Sequence, residues 1–288
     1  MILVTGATGQ LGSAVVRRLL ERVDATEVAA LARDKNKASD LAARGVSVRI
    51  GDYDDTDALD KAMAGVDRVL LIASNNPERR IQQHQNVIDA ARRAGTGLIG
   101  FASRSLRNIQ ASENTLMGDY FATEDRIRRS GLPHILFRNA LYLDTVPVYV
   151  GGARVFETGI RLPAGDGKVA YALRSEMGEA LANGMLDHDG GNRTTVVAAP
   201  RAYTFDDVAA ALSEVTGKAV DYQQISDEEY VANATQSGLP EHLVRRFLGF
   251  YNDIRDNQLD ETSSDLATLL GREPATLAEG LREVFELS

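Results

Sequence analysis

The sequence predicts an α/β protein: a doubly wound parallel sheet over residues 1–140, followed by a smaller C-terminal α/β lobe over residues 141–288 that packs with it as one compact unit. Three observations predict it. Short apolar runs alternate with amphipathic stretches through the first half of the chain, glycines stand where those stretches stop, and three more glycines lie between the first apolar run and the first helix.

In chain order, ILVT at 2–5 reads as the first strand and residues 10–22 as the first helix. VAALA at 28–32 is the second strand, followed by a helix at 36–44 that stops at Gly45; VSVRI at 46–50 is the third, followed by a helix at 56–64 that stops at Gly65. RVLLIAS at 68–74 leads to a helix at 78–94 and Gly95, LIGFAS at 98–103 to a helix at 115–130 and Gly131, and HILFRN at 134–139 is the sixth strand. Runs this apolar are strands buried on both faces, which requires helices on both sides of a parallel sheet. Glycine just past a helix supplies the left-handed residue that ends it. Beyond about residue 140 the rhythm weakens through GGARVFETGIRLPAGDGK, then gives one more strand at 194–199, a helix at 204–216 and a helical last fifty residues in which Pro240 and Pro274 stand at helix starts. GDGK at 165–168 is no phosphate loop, because the upstream glycine and the following Ser or Thr are missing.

Composition narrows the function. Net charge is −9 over 288 residues, so the overall field repels phosphodiester backbones and nucleic acid is not an expected partner. There is no cysteine, which excludes disulfides, thiolate nucleophiles and cysteine-ligated zinc, and the four histidines lack the spacing of a metal site. The longest apolar runs are strand-sized, no membrane segment is expected, and a first strand at residue 2 leaves no room for a signal peptide ahead of it. The expectation is a cytoplasmic protein, monomeric or homodimeric.

The chemistry lies in VTGATGQLGSAVV. A strand, a glycine turn and a helix in that order make the nucleotide-binding turn of a Rossmann sheet: Gly6 for the tight turn, Gly9 for approach of a pyrophosphate, Gly12 for helix packing. Thr8 and Gln10 add polar groups to the loop, and Leu11 covers the nicotinamide side. About 20 residues on, where an acidic residue would hold the ribose 2′-hydroxyl of NAD, stands Arg33, with Lys35 and Lys37 beyond it. A guanidinium there attracts a 2′-phosphate, so the expected cofactor is NADP(H); the plainer reading is a solvated basic patch. Asp52 and Tyr53, after the third strand, are candidate neighbours of the adenine, while Asp54 and Asp55 read as turn and helix-capping residues. Ala73, Ser74 and Asn75, after the fourth strand, are candidates for the ribose and pyrophosphate. His84 shares an apolar helix face with Ile81 and Ile88 and reads as structural.

Catalysis departs from the usual short-chain reductase pattern, a Tyr-x-x-x-Lys helix with a preceding Ser. Here Tyr120 keeps its place and the lysine is replaced by Glu124. One turn apart, the two share a helix face, where a carboxylate opposes formation of a phenolate. Tyr120 is then a poor base but can still act as an acid, or serve as a pocket wall. Ser103 occupies the neighbourhood of the usual serine, with Ser105 equally available. Weak proton delivery suits acceptors that take hydride readily, such as quinones, azo bonds and cationic dyes.

MILVTGATGQLGSAVV, ALARDKNKASDLAARGVSVRIGDYDD, QHQNVIDAARRAG, YFATE, ILFRNALY and LPAGDGKVAYALRSEMGEAL, in that order, resemble the NmrA-like atypical short-chain dehydrogenase/reductase family, most of all its bacterial quinone and triphenylmethane dye reductases. The resemblance implies NADPH as hydride donor, a small aromatic or quinone substrate and no flavin. It puts Asn139 and Tyr142 near the nicotinamide and the substrate, makes Arg138 structural, and lays residues 104–116 over the acceptor. Relatives usually carry His at the position of Tyr120. The alternative function is a non-enzymatic redox sensor that binds the dinucleotide and acts through a protein partner; an epimerase reading is opposed by Glu124 and Arg33.

Overall fold

The computed structural model describes residues 1–112 and 114–287. Its first half alternates strand and helix: β1 (Ile2–Val4), α1 (Gln10–Arg22), β2 (Val28–Ala32), α2 (Ser39–Ala43), β3 (Ser47–Ile50), α3 (Thr56–Ala62), β4 (Arg68–Ile72), α4 (Arg80–Ala94), β5 (Leu98–Arg104), α5 (Thr115–Ser130) and β6 (His134–Asn139). Gly45, Gly65, Gly95 and Gly131 all take positive φ, as expected of residues that end helices. The helix expected at 36–44 is shorter, because Asn36–Ala38 form a single 3-10 turn before α2 starts.

The second half begins with two one-turn helices, α6 (Val146–Tyr149) and α7 (Val155–Thr158), then β7 (Ile160–Leu162), α8 (Arg174–Leu186), β8 (Arg193–Val197), α9 (Phe205–Thr216) and β9 (Tyr222–Gln224). Four helices close the chain: α10 (Asp227–Gln236), α11 (Glu241–Arg255), α12 (Asp265–Leu270) and α13 (Leu277–Val284). Pro240 is the N-cap of α11, and Pro274 stands two residues before Thr276, whose side chain caps α13 with Glu279 in a capping box.

Seven strands form one parallel sheet in the order β3-β2-β1-β4-β5-β6-β8, a doubly wound Rossmann arrangement, while β7 and β9 pair separately in the lobe. The strand after residue 140 therefore does not belong to the lobe's own sheet: β8 pairs with β6 from Ile135↔Arg193 to Asn139↔Val197. One sheet face is covered by α1, α8 and α12, with Val15, Leu19, Met177, Leu181 and Leu266 in its core. The other is covered by α3, α4 and α5, with Leu59, Met63, Ile88 and Ile127. A third core, built from Val155, Phe205, Leu212, Tyr251, Ile254 and Leu281, fills the lobe. The order of the sheet reverses at β1, which lies between β2 and β4; crevices for ligands open beyond the carboxyl ends of strands at such a point.

Candidate functional site: a dinucleotide crevice joined to an apolar cavity

The glycine turn leaves β1 pinned to β4, with the Thr5 N–H donating to the Leu70 carbonyl and the Thr5 Oγ1 accepting from the Ile72 N–H. Gly6 sits at φ +59°, a conformation costly for any residue with a Cβ. Gly9 donates back to the Gly6 carbonyl at 3.0 Å. A Cβ on Gly12 would lie 2.2 Å from that same carbonyl oxygen, so the close seating of α1 on the turn requires glycine. No side chain caps α1 and no acidic residue occupies its first turn. Its leading N–H groups are thus open to an anion, which is what a pyrophosphate needs.

This turn is one wall of a crevice of about 1220 Å³ lying beyond the ends of the first five strands. Gly6, Thr8, Gly9, Gln10, Leu11 and Gly12 all line it, as do Asp52, Tyr53, Ala73, Ser74 and Asn75. Arg33 reaches over its rim with a side chain 79% exposed, 3.8 Å from the Asp52 carboxylate, and Lys37 joins it. The Tyr53 hydroxyl donates to the Ile72 carbonyl at 2.9 Å, which sets its ring beneath Gly6. Asp55 caps α3 by accepting from the Ala58 N–H, whereas Asp54 faces the crevice and pairs with Arg79 at 2.8 Å. His84 is wholly buried: its Nε2 accepts from the Ser74 N–H at 3.0 Å and its Nδ1 contacts the Thr123 hydroxyl at 2.8 Å. Burial, aided by the nearby Arg80 cation, pushes the imidazole down to about pKa 3, so it is a neutral brace for the loop after β4.

At the far end of the crevice stand Ala102, Arg104, Tyr120, Tyr142 and Arg174. The Tyr142 ring lies between two guanidiniums, Arg104 at 4.4 Å and Arg174 at 4.6 Å from its centroid. Arg80 and Arg104 lie 5.4 and 5.8 Å from the Tyr120 ring centroid. Glu124, expected to share a face with Tyr120 and oppose its ionisation, is instead fully buried among Ser103, Arg128 and Arg138, with Oε2 2.7 Å from Arg138. Two guanidiniums pair with that carboxylate, so Glu124 does not stand free beside Tyr120, and of the two guanidiniums near the Tyr120 ring Arg80 is itself paired with Asp119. Arg138 is structural, as the resemblance implies.

Ser103, expected beside the cofactor, is not on the crevice wall. Its hydroxyl donates to Glu124 at 2.7 Å, because successive residues of a strand face opposite sides and the crevice side of β5 belongs to Ala102 and Arg104. Ser105 is engaged too, donating to Glu261. Asn139 lines a second cavity rather than the crevice. That cavity, about 280 Å³, is walled by Leu141, Tyr149, Leu243, Phe247, Phe250 and Leu259 among others, and it shares Arg104 and Tyr142 with the crevice. Of the residues expected over the acceptor, 104–116, Arg104 and Ser105 reach this cavity, as does Met117 just beyond them, while Glu113 lies outside the described residues.

Arg104 was not visible as a site residue in the sequence, although it directly follows Ser103; choosing between them needs the phase of β5. Gln83 was missed for another reason, since its amide reaches the crevice only because α4 crosses over Asp54 and Ser74. Arg174 enters from α8, far along the chain, and pairs with Gln10 of the glycine turn. Among the described residues no three potential metal ligands cluster, and no helix is long and apolar enough to cross a membrane.

A model described as the NmrA-like family matches residues 1–281. Quinone oxidoreductase 2 of Escherichia coli is 34% identical over 290 residues, covering the full length of both chains. The crystal structure of the E. coli NADPH-dependent quinone oxidoreductase complexed with NADPH superimposes with a TM-score of 0.90, over 99% of this chain and 100% of that one. Triphenylmethane reductase of Citrobacter sp. superimposes with a TM-score of 0.91 at 36% identity, over 99% of each chain. An NAD(P)H azoreductase of Xenophilus azovorans is 30% identical over 287 residues, covering 97% of this chain and 96% of its own.

Proposed function

The chain belongs to the NmrA-like family, and from that premise we propose that it is an NADPH-dependent oxidoreductase acting on quinones or related aromatic acceptors, including azo and triphenylmethane dyes, without a flavin. The observation that carries the reading is the shared wall: a crevice that fits a dinucleotide and an apolar cavity that fits a planar ring meet at Arg104 and Tyr142.

When bound, NADPH supplies a hydride from its nicotinamide ring. The N–H groups at the start of α1 hold the pyrophosphate, and Arg33 with Lys37 holds the 2′-phosphate. Asp52 and Tyr53 border the adenine, and Ala73, Ser74 and Asn75 border the ribose. Leu11 closes the nicotinamide side against water. Tyr142, fixed between its two guanidiniums, aligns the acceptor, and the Tyr120 Oη is the candidate proton donor at the crevice end. A cytoplasmic location, a monomeric or homodimeric state and no nucleic-acid partner complete the proposal, the last in keeping with the net charge of −9.

The test is anaerobic loss of reduced-nicotinamide absorbance, with NADPH and NADH side by side, against quinones, azo dyes and triphenylmethane dyes. NADPH-dependent turnover of at least one class is expected. Tight NADPH binding with no acceptor reduced would sink the enzyme reading and favour a sensor.

A further inference from the structure

The second cavity carries charge that its apolar walls do not require. Two arginines line it, Arg104 and Arg246, and among the described residues no carboxylate does. Arg104 is half-buried, its Nη1 is sealed from solvent, and that nitrogen has no hydrogen-bond partner. Tyr142 and Tyr120 face the guanidinium and Tyr149 lies near it; Tyr120 also interacts with it through its hydroxyl, which leaves Nη1 as the nitrogen without a partner. Asn139, 1% exposed, lines the same cavity with both Oδ1 and Nδ2 unpaired. Buried polar groups are nearly always satisfied, so a guanidinium nitrogen and a whole amide without partners in two residues that line one cavity mark where a ligand supplies the partners.

The sign of the charge narrows the ligand. The chain as a whole is acidic, and the buried or half-buried guanidiniums of Arg80 and Arg138 are ion-paired, with Asp119 at 3.0 Å and Glu124 at 2.7 Å, while those of Arg49 and Arg68 donate to backbone carbonyls. Among the described residues Arg104 is the arginine with a buried nitrogen that has neither a carboxylate nor a carbonyl partner, a local feature of the cavity. A guanidinium presents a planar fork suited to two oxygens. The Asn139 amide offers a further donor, and its Oδ1 an acceptor for a hydroxyl.

We propose that the cavity selects acceptors carrying an ionised oxygen on the ring, such as hydroxyquinones or acid-substituted azo dyes, with Arg104 binding that oxygen and Arg246 adding long-range attraction from the rim. The location of the acceptor rests on the reductase reading; the charge preference does not. Cationic triphenylmethane dyes are then the poorest ligands of the aromatic acceptors, because two cations face them across an apolar cavity.

The test measures binding, not turnover, in the presence of oxidised NADP so that nothing is reduced. The probes are 2-hydroxy-1,4-naphthoquinone, an anion at neutral pH, and the neutral 2-methyl-1,4-naphthoquinone, titrated calorimetrically. The wild-type protein is expected to bind the anion at least about tenfold tighter, the effect of one charged hydrogen bond. Arg104→Gln is expected to remove that preference, and Arg246→Gln, being exposed, to reduce it about two- to threefold. Equal binding of both probes by the wild type, or an anion preference untouched by both substitutions, overturns the proposal. If Arg104→Gln weakens NADP binding as much as anion binding, Arg104 belongs to the cofactor and the proposal is also overturned. Should Arg104→Gln fail to fold, the wild-type preference and Arg246→Gln still decide. Failure of every acceptor to oxidise NADPH would sink the reductase reading alone, since the binding preference is measured independently.

Discussion

Arg33 places a largely exposed guanidinium at the rim of the crevice, beyond β2, where among the described residues the Asp52 carboxylate at 3.8 Å is the one ion-pair partner that competes for it. That separation is too long for a good hydrogen bond and lies at the surface, so the pair holds Arg33 weakly and leaves it free to take a 2′-phosphate. Reversing the charge by Arg33→Asp removes the attraction and adds repulsion. NADPH affinity measured by fluorescence titration is expected to fall about 10- to 100-fold with NADH affinity little changed, the range of one or two charged hydrogen bonds. A fall shared equally by both cofactors would remove Arg33 from the 2′-phosphate. The place of Arg33 at the crevice was legible in the sequence because it follows from local order, a turn of fixed spacing and a residue at a fixed distance beyond it. Arg104 and Ser103 show the opposite case. They are adjacent, both polar and both at the end of β5, and only the side of the sheet each faces decides which meets the crevice. The same holds for Glu124, whose partner Arg138 comes from a different element, so spacing along α5 alone does not give the charge that Tyr120 meets.

Between elements, α4, α5 and the loop after β4 meet at His84. Its ring touches Phe101 of β5 edge-on at 5.5 Å, contacts Thr123 of α5 and accepts from Ser74, with Arg80 the nearest charge. The imidazole is lowered from an ordinary value near 6.5 to about 3, so over that interval the unfolded chain binds a proton that the folded chain does not. Stability therefore rises with pH through the interval, and is lost as pH falls from about 6.5 toward 3. The slope from this one group is at most about 1.4 kcal/mol per pH unit. Urea titrations of the wild type and His84→Gln between pH 4 and 6.5 check it: the wild-type stability should fall the more steeply, and parallel pH dependences would show that the imidazole titrates normally in the folded state. The elements themselves were legible wherever periodicity is strong, as for α1, α5 and the apolar strands. The place of β8 was not, since a short strand past residue 190 carries no mark of whether it pairs with β6 or with the lobe.

Across the whole molecule, the chain crosses back over its own division at residue 140. α8, β8 and α12 complete the sheet layers, while the lobe core gathers residues on both sides of that return. Neither body can lose its packing without exposing surfaces of the other, and we propose that they unfold together. The crevice adds a second link, because Arg174 of α8 pairs with Gln10 of the glycine turn and stacks on Tyr142 at the mouth of the acceptor cavity. A ligand that binds only the folded protein stabilises it by about 2.7 kcal/mol at a hundred times its dissociation constant. For a chain of this size that raises the melting temperature by roughly 4–5 °C. Calorimetry should show a single transition that NADPH moves upward by that amount and that an equal concentration of NADH moves less. Two separated transitions, with only the earlier or the later moved by NADPH, would mean that sheet and lobe unfold as independent domains. A single transition that NADPH leaves in place would instead remove the dinucleotide from the crevice.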